Sequence, residues 1–142
     1  MISRKEKKAI GNAARRVAGS ARSYDVLPSG TWLEGGCGIF ARAIQKAIRS
    51  SYGVSVNLCA LRGGELEMVQ HILVRIGDCY YDADGMSTEE ELLERWENLE
   101  SVKHPKVGSL DIWPEEIVRD EGASRFIAGM LLKRLSKRTD KS

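Results

Sequence analysis

Apolar positions recur along this chain in two rhythms, one helical and one alternating. Over residues 3–22, Ile10, Ala13, Ala14, Val17, Ala18 and Ala21 return at helical spacing, with Arg15, Arg16 and Arg22 between them. The face they make is mostly alanine and thin, which predicts a helix that lies against the domain without anchoring it. Pro28-Ser29-Gly30 and Gly35-Gly36 mark a loop. A second helix is expected over 37–50, where Ile39, Phe40, Ala43, Ile44, Ala47 and Ile48 form one stripe and Arg42, Gln45, Lys46 and Arg49 face away. Gly53 suits a left-handed stop just past its end.

The rhythm then changes. Val54 to Leu61 reads as a strand, and Arg62-Gly63-Gly64-Glu65 as a turn. Val69 to Ile76 and Cys79 to Asp84 are β-rich runs separated by Gly77-Asp78, the signature of a tight hairpin. Ser87-x-x-Glu90 and Thr88-x-x-Glu91 are overlapping capping boxes for a third helix, with Leu92, Leu93, Trp96 and Leu99 as its buried stripe. Trp113-Pro114-Glu115-Glu116 predicts a short helical turn. Residues 122–136 predict a last helix with Phe126, Ile127, Met130, Leu131 and Leu135 on one side, before a polar tail, Lys137 to Ser142, expected to fray. Helix, helix, strand, hairpin and helices make an α+β fold, a small antiparallel sheet packed with helices.

Composition narrows the class. The 142 residues suit one domain: helix and loop over 1–28, a chemical core over 29–86, a helical part over 87–136 and the tail 137–142. Hydrophobic residues at 42% and charged residues at 30% are ordinary for a globular protein. A net charge of +2 does not point to nucleic acid, and the basic stretch Arg4, Lys5, Lys7, Lys8, Arg15 and Arg16 lacks interleaved aromatics, so it reads as a solvated face. No apolar run is long enough for a membrane span, and the first residues lack the apolar block of a signal peptide. Three Cys without a CxxC pair argue for reduced thiols and a cytoplasmic setting, or delivery by a route the sequence does not display. Oligomeric state is not legible.

Cys37 lies in Gly35-Gly36-Cys37-Gly38, where a glycine loop enters a helix. Free backbone N–H groups and the positive end of the helix dipole favour thiolate there, and the same groups suit an oxyanion. Flanking glycines let a substrate backbone come close. His71 opens a strand downstream and has the chemistry of a base for the thiol. With Gly77-Asp78 as a two-residue loop, Ile76 opposes Cys79, Leu73 opposes Asp82 and His71 opposes Asp84. His71, Asp82 and Asp84 then share one face, Asp84 directly opposite and Asp82 diagonal. Cys59 and Cys79 fall within strands and read as sheet residues; His104 has no evident role. Trp32 reads equally as the wall of a substrate groove or as a ring covering the core.

Cys at a helix start, His on a strand and Asp on the next strand follow the chain order of papain-like and transglutaminase-like cysteine enzymes. Gly35-Gly36-Cys37-Gly38-Ile39-Phe40-Ala41 and the run from His71 to Gly85 resemble that superfamily's two signature regions, most of all in small bacterial and phage members, where His-strand-turn-strand-Asp-x-x-Gly recurs. The resemblance spans residues 30–86. It implies a papain-like core and a thiol hydrolase acting on peptide, isopeptide or other amide bonds, with transglutaminase, acyltransferase or deamidase chemistry on the same triad as alternatives. A protein or peptide substrate is implied, and no metal or prosthetic group. It favours Asp82, at the head of Asp-x-x-Gly, as third member, with Asp84 as alternative. Papain-like peptidases also carry a Gln shortly before the Cys. Here Thr31, Trp32, Leu33 and Glu34 stand there, and the nearest amide is Gln70, which strand alternation turns away from His71. The candidate substrate-binding positions are Trp32, Gly35, Gly36, Gly38 and Gln70. A module that kept the fold and lost catalysis is the reading that the missing Gln favours.

Overall fold

The computed structural model describes residues 2–139, with side chains through residue 136. Helix α1 (Arg4–Ala18) is followed by a 3₁₀ stretch (Ala21–Val26) and helix α2 (Cys37–Tyr52). Strands β1 (Asn57–Gly63), β2 (Met68–Ile76), β3 (Cys79–Asp82) and β4 (Gly85–Thr88) come next. Helix α3 (Glu89–Asn98), strand β5 (Lys106–Ser109) and helix α4 (Glu121–Thr139) complete the order. The strands form one sheet in the order β4-β3-β2-β1-β5, with every neighbouring pair antiparallel.

The sheet buries both faces. Ile72, Val74 and Ile76 of β2 pack with α1, α2 and α4 in the larger core. Leu73, with Cys59, Leu61 and Tyr80, packs on the other side against Leu92 and Trp96 of α3. Period-two alternation along β2 thus feeds two cores.

The Ala-rich face of α1 is an anchor after all. Ala9, Ile10, Ala13, Ala14, Val17 and Ala18 are all buried in the larger core, because small side chains let the helix axis come close. At Gly11 an added Cβ would lie 2.8 Å from Met86 Cβ, so α1 crosses β4 almost backbone to backbone. Helix α2 runs two residues beyond the expected 50 and stops at Gly53 with φ 66°.

Some expected elements moved. Residues 85–88, expected as the approach to α3, form strand β4, and Thr88 is the cap: its hydroxyl accepts from Glu91 N–H while Glu91 accepts from Thr88 N–H. Ser87 lies buried within β4. Leu99 sits past the end of α3 and is 76% exposed, outside the stripe expected of it. β5 went unforeseen, since Lys106-Val107-Gly108-Ser109 carries little β pattern. Trp113-Pro114 opens a turn closed by Ile117 N–H on Pro114 O, not a helix. Helix α4 continues through Thr139, into the stretch expected to fray; residues 140–142 lie outside the described residues. No described helix is long and apolar enough to cross a membrane.

Candidate active site

Thr31 organises the loop that leads to Cys37. Its hydroxyl accepts from Leu33 and Glu34 N–H, and its carbonyl accepts from Gly35 and Gly36 N–H. The chain enters α2 with no side chain capping it. The first turn therefore has N–H groups without helical partners. The N–H of Gly38 and, from β2, that of Ile72 help to lower the Cys37 thiol.

His71 lies next to an irregularity in β2. Leu61 pairs with His71 and Arg62 with Val69, so Gln70 is the extra residue of a bulge. Its amide donates to Gly63 O at 3.4 Å. The His71 ring is fully buried, stacked on Trp96 with centroids 4.8 Å apart. Its Nε2 lies 2.9 Å from Asp82 Oδ2, and its Nδ1 3.2 Å from Leu33 O. With Nε2 donating to the carboxylate, Nδ1 faces Leu33 O, and the imidazole is near enough to Cys37 for each group to shift the other's pKa.

The choice between the two aspartates follows from where β3 ends. Ile76↔Cys79, Arg75↔Tyr80 and Val74↔Tyr81 reproduce the expected hairpin register. The ladder with β2 stops there, and Asp82 pairs across with Gly85 of β4. Ala83 and Asp84 become the turn, so Asp84 never comes opposite His71. Asp82 Oδ1 accepts from Asp84 N–H at 2.9 Å, an Asx turn, and Gly85 takes φ 99° beneath Gly11 of α1. The Asp-x-x-Gly motif is thus a device that aims Asp82 and turns Asp84 out.

Sequence reasoning missed the back wall. Arg95 of α3 reaches Asp82 at 3.4 Å and Asp84 at 3.3 Å, and its neighbour Trp96 supplies the ring under His71. Both looked like an ordinary helix face and stripe. The only sequence signal available was their position in the first helix after Asp-x-x-Gly.

Charge follows geometry. Burial pushes the Cys37 thiol up, but hydrogen bonding to His71, its charge and the Ile72 and Gly38 N–H groups bring it below the ordinary thiol value. Burial would lower His71; the hydrogen bonds and charges of Asp82 and Cys37 reverse this and raise it to about 9. Asp82 is held below the usual carboxylate range: against its burial stand His71, Arg95 and the Asp84 N–H. Asp84 is raised by burial and by the Asp82 charge. The site therefore favours thiolate beside imidazolium, with a carboxylate behind. Cys59 and Cys79, away from these partners, are both raised by burial.

The candidate substrate positions mostly pack. Trp32 is 3% exposed; its Nε1–H donates to Ser23 Oγ at 3.1 Å and its ring lies 5.4 Å from Phe40. Of its two readings the core cover fits, with an edge reaching a shallow hollow beside Leu33, Ala83 and Asp84. A Cβ on Gly35 would collide with Ser29 O at 1.8 Å, on Gly36 with the Trp32 ring at 2.4 Å, and on Gly38 with the Trp113 ring at 2.5 Å. Close packing at each of these positions requires glycine. Cys37 and Asp82 are each only 4% exposed.

Among the described residues no group of three or more His, Cys, Asp or Glu is arranged to hold a metal ion. No protein-family model, curated protein or solved structure matches the chain.

Proposed function

We propose that this chain is a thiol hydrolase with a papain-like or transglutaminase-like core, cleaving a peptide, isopeptide or other amide bond. The observation that carries the reading is the Asp82-held imidazole of His71 beside Cys37 at the uncapped start of α2. In the reaction the Cys37 thiolate adds to the acyl carbon, and its oxygen takes the negative charge. N–H groups of the first turn of α2 face that charge. The C–N bond then breaks as imidazolium Nδ1 gives its proton to the leaving nitrogen, leaving a thioester. Neutral His71 next takes a proton from water, whose oxygen displaces the sulfur and restores thiolate and imidazolium. An amine in place of that water makes the same site a transglutaminase; a side-chain amide as substrate makes it a deamidase. Asp82 holds the tautomer throughout, and Arg95 keeps Asp82 ionised.

A second reading has its own support. The burial of all three residues and the absence of a Gln before Cys37 favour a binding module that has lost catalysis.

The pH dependence of Cys37 alkylation by iodoacetamide, read peptide by peptide by mass spectrometry, separates them. Cys59 and Cys79 are internal references. For the enzyme, Cys37 labels at pH 6 ahead of both, and His71→Ala slows it by about tenfold or more, since removing the base restores an ordinary thiol near 8.5. Slow labelling that is equal in the two proteins and rises only near that pH leaves the binding module.

A further inference from the structure

The outer face of α2, opposite its buried stripe, carries a second chemistry. Arg42, Gln45, Lys46 and Arg49 stand there at helical spacing, and the left-handed turn at Gly53 folds the chain back so that Ser55 and Val56 run alongside. Gln45 Nε2 donates to Val56 O at 2.8 Å and Arg49 donates to Ser55 Oγ at 2.9 Å, which ties the returning chain to the helix. Between them is an open cleft of about 290 Å³ lined by these six residues.

Charge in the cleft is unbalanced. Glu121, at the start of α4, pairs with Arg42 at 3.3 Å, Lys46 at 3.1 Å and, from outside the cleft, Arg119 at 3.5 Å. One carboxylate is shared by three cations, and Arg49 has only a hydroxyl. Hydrogen bonds and charges from Arg42 and Lys46 hold Glu121 down at about 2, so the cleft already shows its preference for an anion. Arg42 and Lys46 are about a quarter exposed, at 24% and 30%, enough to be fixed and still reachable.

We propose that this cleft binds the phosphate of a small molecule, with Arg42, Lys46 and Arg49 as its cationic wall and Ser55 as a neutral donor. A tetrahedral dianion offers these donors twice the charge and more acceptor oxygens than the single Glu121 carboxylate. Nucleic acid fits less well: the cations occupy about two turns of one helix in a recess, with no aromatic for a base to stack on. The inference does not depend on the chemistry of Cys37, which lies at the helix start on the buried side.

Pyrophosphate is the probe, titrated at constant ionic strength by calorimetry and by backbone amide shifts. The expected result is one saturable site with shifts centred on residues 42–56. Lys46→Gln with Arg49→Gln weakens it by about tenfold or more, as expected for lost charge-assisted hydrogen bonds. Lys5→Gln with Lys8→Gln removes the same charge from exposed positions on α1 and leaves affinity unchanged. Glu121→Gln, which removes the competing carboxylate, tightens binding. Absence of saturation, equal losses in the two double variants, or salt-sensitive retention of duplex DNA without pyrophosphate binding would each overturn the proposal.

Discussion

Two segments close over the start of α2, and they are built differently. On one side, residues 29–36 form a turn fixed by four hydrogen bonds to Thr31, with Trp32 pinned by Ser23. On the other, residues 110–120 have neither helix nor strand. That strap is tied at one end by Leu110 N–H on Leu58 O and at the other by Asp120, which accepts from Ala123 and Ser124 N–H of α4, and by the Arg119–Glu121 pair; between them it bonds within itself, through Trp113 Nε1–H on Ile117 O and Ile117 N–H on Pro114 O. It covers Gly38 with Trp113 and Ile117 while Ile112 stays 82% exposed. The first segment is knit onto one residue and the second is tied mainly at its ends, so the second is the one expected to open first.

The same substitution on either side of Cys37 tests that contrast. Gly36→Ala drives a methyl into the Trp32 ring, which has nowhere to go, and should cost about 3 kcal/mol, the upper end of overpacking penalties. Gly38→Ala meets Trp113 at a similar distance, but the strap gives way and the helix gains from alanine, so the cost should stay below about 1 kcal/mol. Urea denaturation reads both. Equal losses would mean the strap is as rigid as the Thr31 turn.

Removing the ring of the strap sharpens the comparison. Trp113→Ala should raise the rate of Cys37 alkylation about tenfold at unchanged pH profile, since it alters access and not the thiol. Trp32→Ala should instead lower stability by about 3 kcal/mol or more, as loss of a buried aromatic does. An unchanged labelling rate in Trp113→Ala would place the route to Cys37 elsewhere.

How much of this was legible in the sequence depends on range. Helix α2, its Gly53 stop and the Gly77-Asp78 hairpin are written in local periodicity and turn chemistry, and they came out as expected. So did the α+β class. Asp82 over Asp84 was visible only as a motif; its physical cause, an Asx turn that ends β3, needed the β3–β4 pairing. Strands β4 and β5 are four residues each, too short for a period to declare itself. Arg95, Trp96 and Trp113 earn their places through contacts between elements distant in sequence, which no window contains.

The buried site also makes a prediction about stability and pH. His71 has a folded pKa near 9, above its ordinary 6.5; alone it would add stability that is full below 6.5 and lost as pH rises through 9. Cys37 is lowered, so its contribution has the opposite sign, present above its unfolded value and lost as pH falls through the folded one. Above pH 6.5, wherever the folded Cys37 is thiolate and the folded His71 imidazolium, the folded ion pair and the unfolded neutral pair hold the same number of protons, and the two slopes cancel. Wild type should therefore show a plateau there. In Cys37→Ser the Cys37 share of the His71 shift is lost and Asp82 alone holds the imidazolium; wherever the folded state keeps a proton that the unfolded state lacks, stability should fall by up to about 1.4 kcal/mol per pH unit. Chemical denaturation across that range checks it. A flat profile in Cys37→Ser would mean that Asp82 alone does not hold the proton on His71.

The smallest effect belongs to the back wall. Arg95→Gln removes the cation that bridges Asp82 and Asp84 and keeps a polar side chain of similar reach. Asp82 loses one of the groups that lower it, so it protonates at higher pH, and its support for the imidazolium fails sooner on acidification. The acid limb of Cys37 labelling should move up by about half a pH unit, with the rate at pH 8 within a factor of two of wild type, as expected for a partly exposed ion pair. Arg95→Lys, still cationic, should restore most of the shift, which a loss of packing alone would not allow. If both variants lowered labelling equally at every pH, Arg95 would act through the position of α3 and the Trp96 ring, and the back wall would be steric where the strap opposite is the part expected to open.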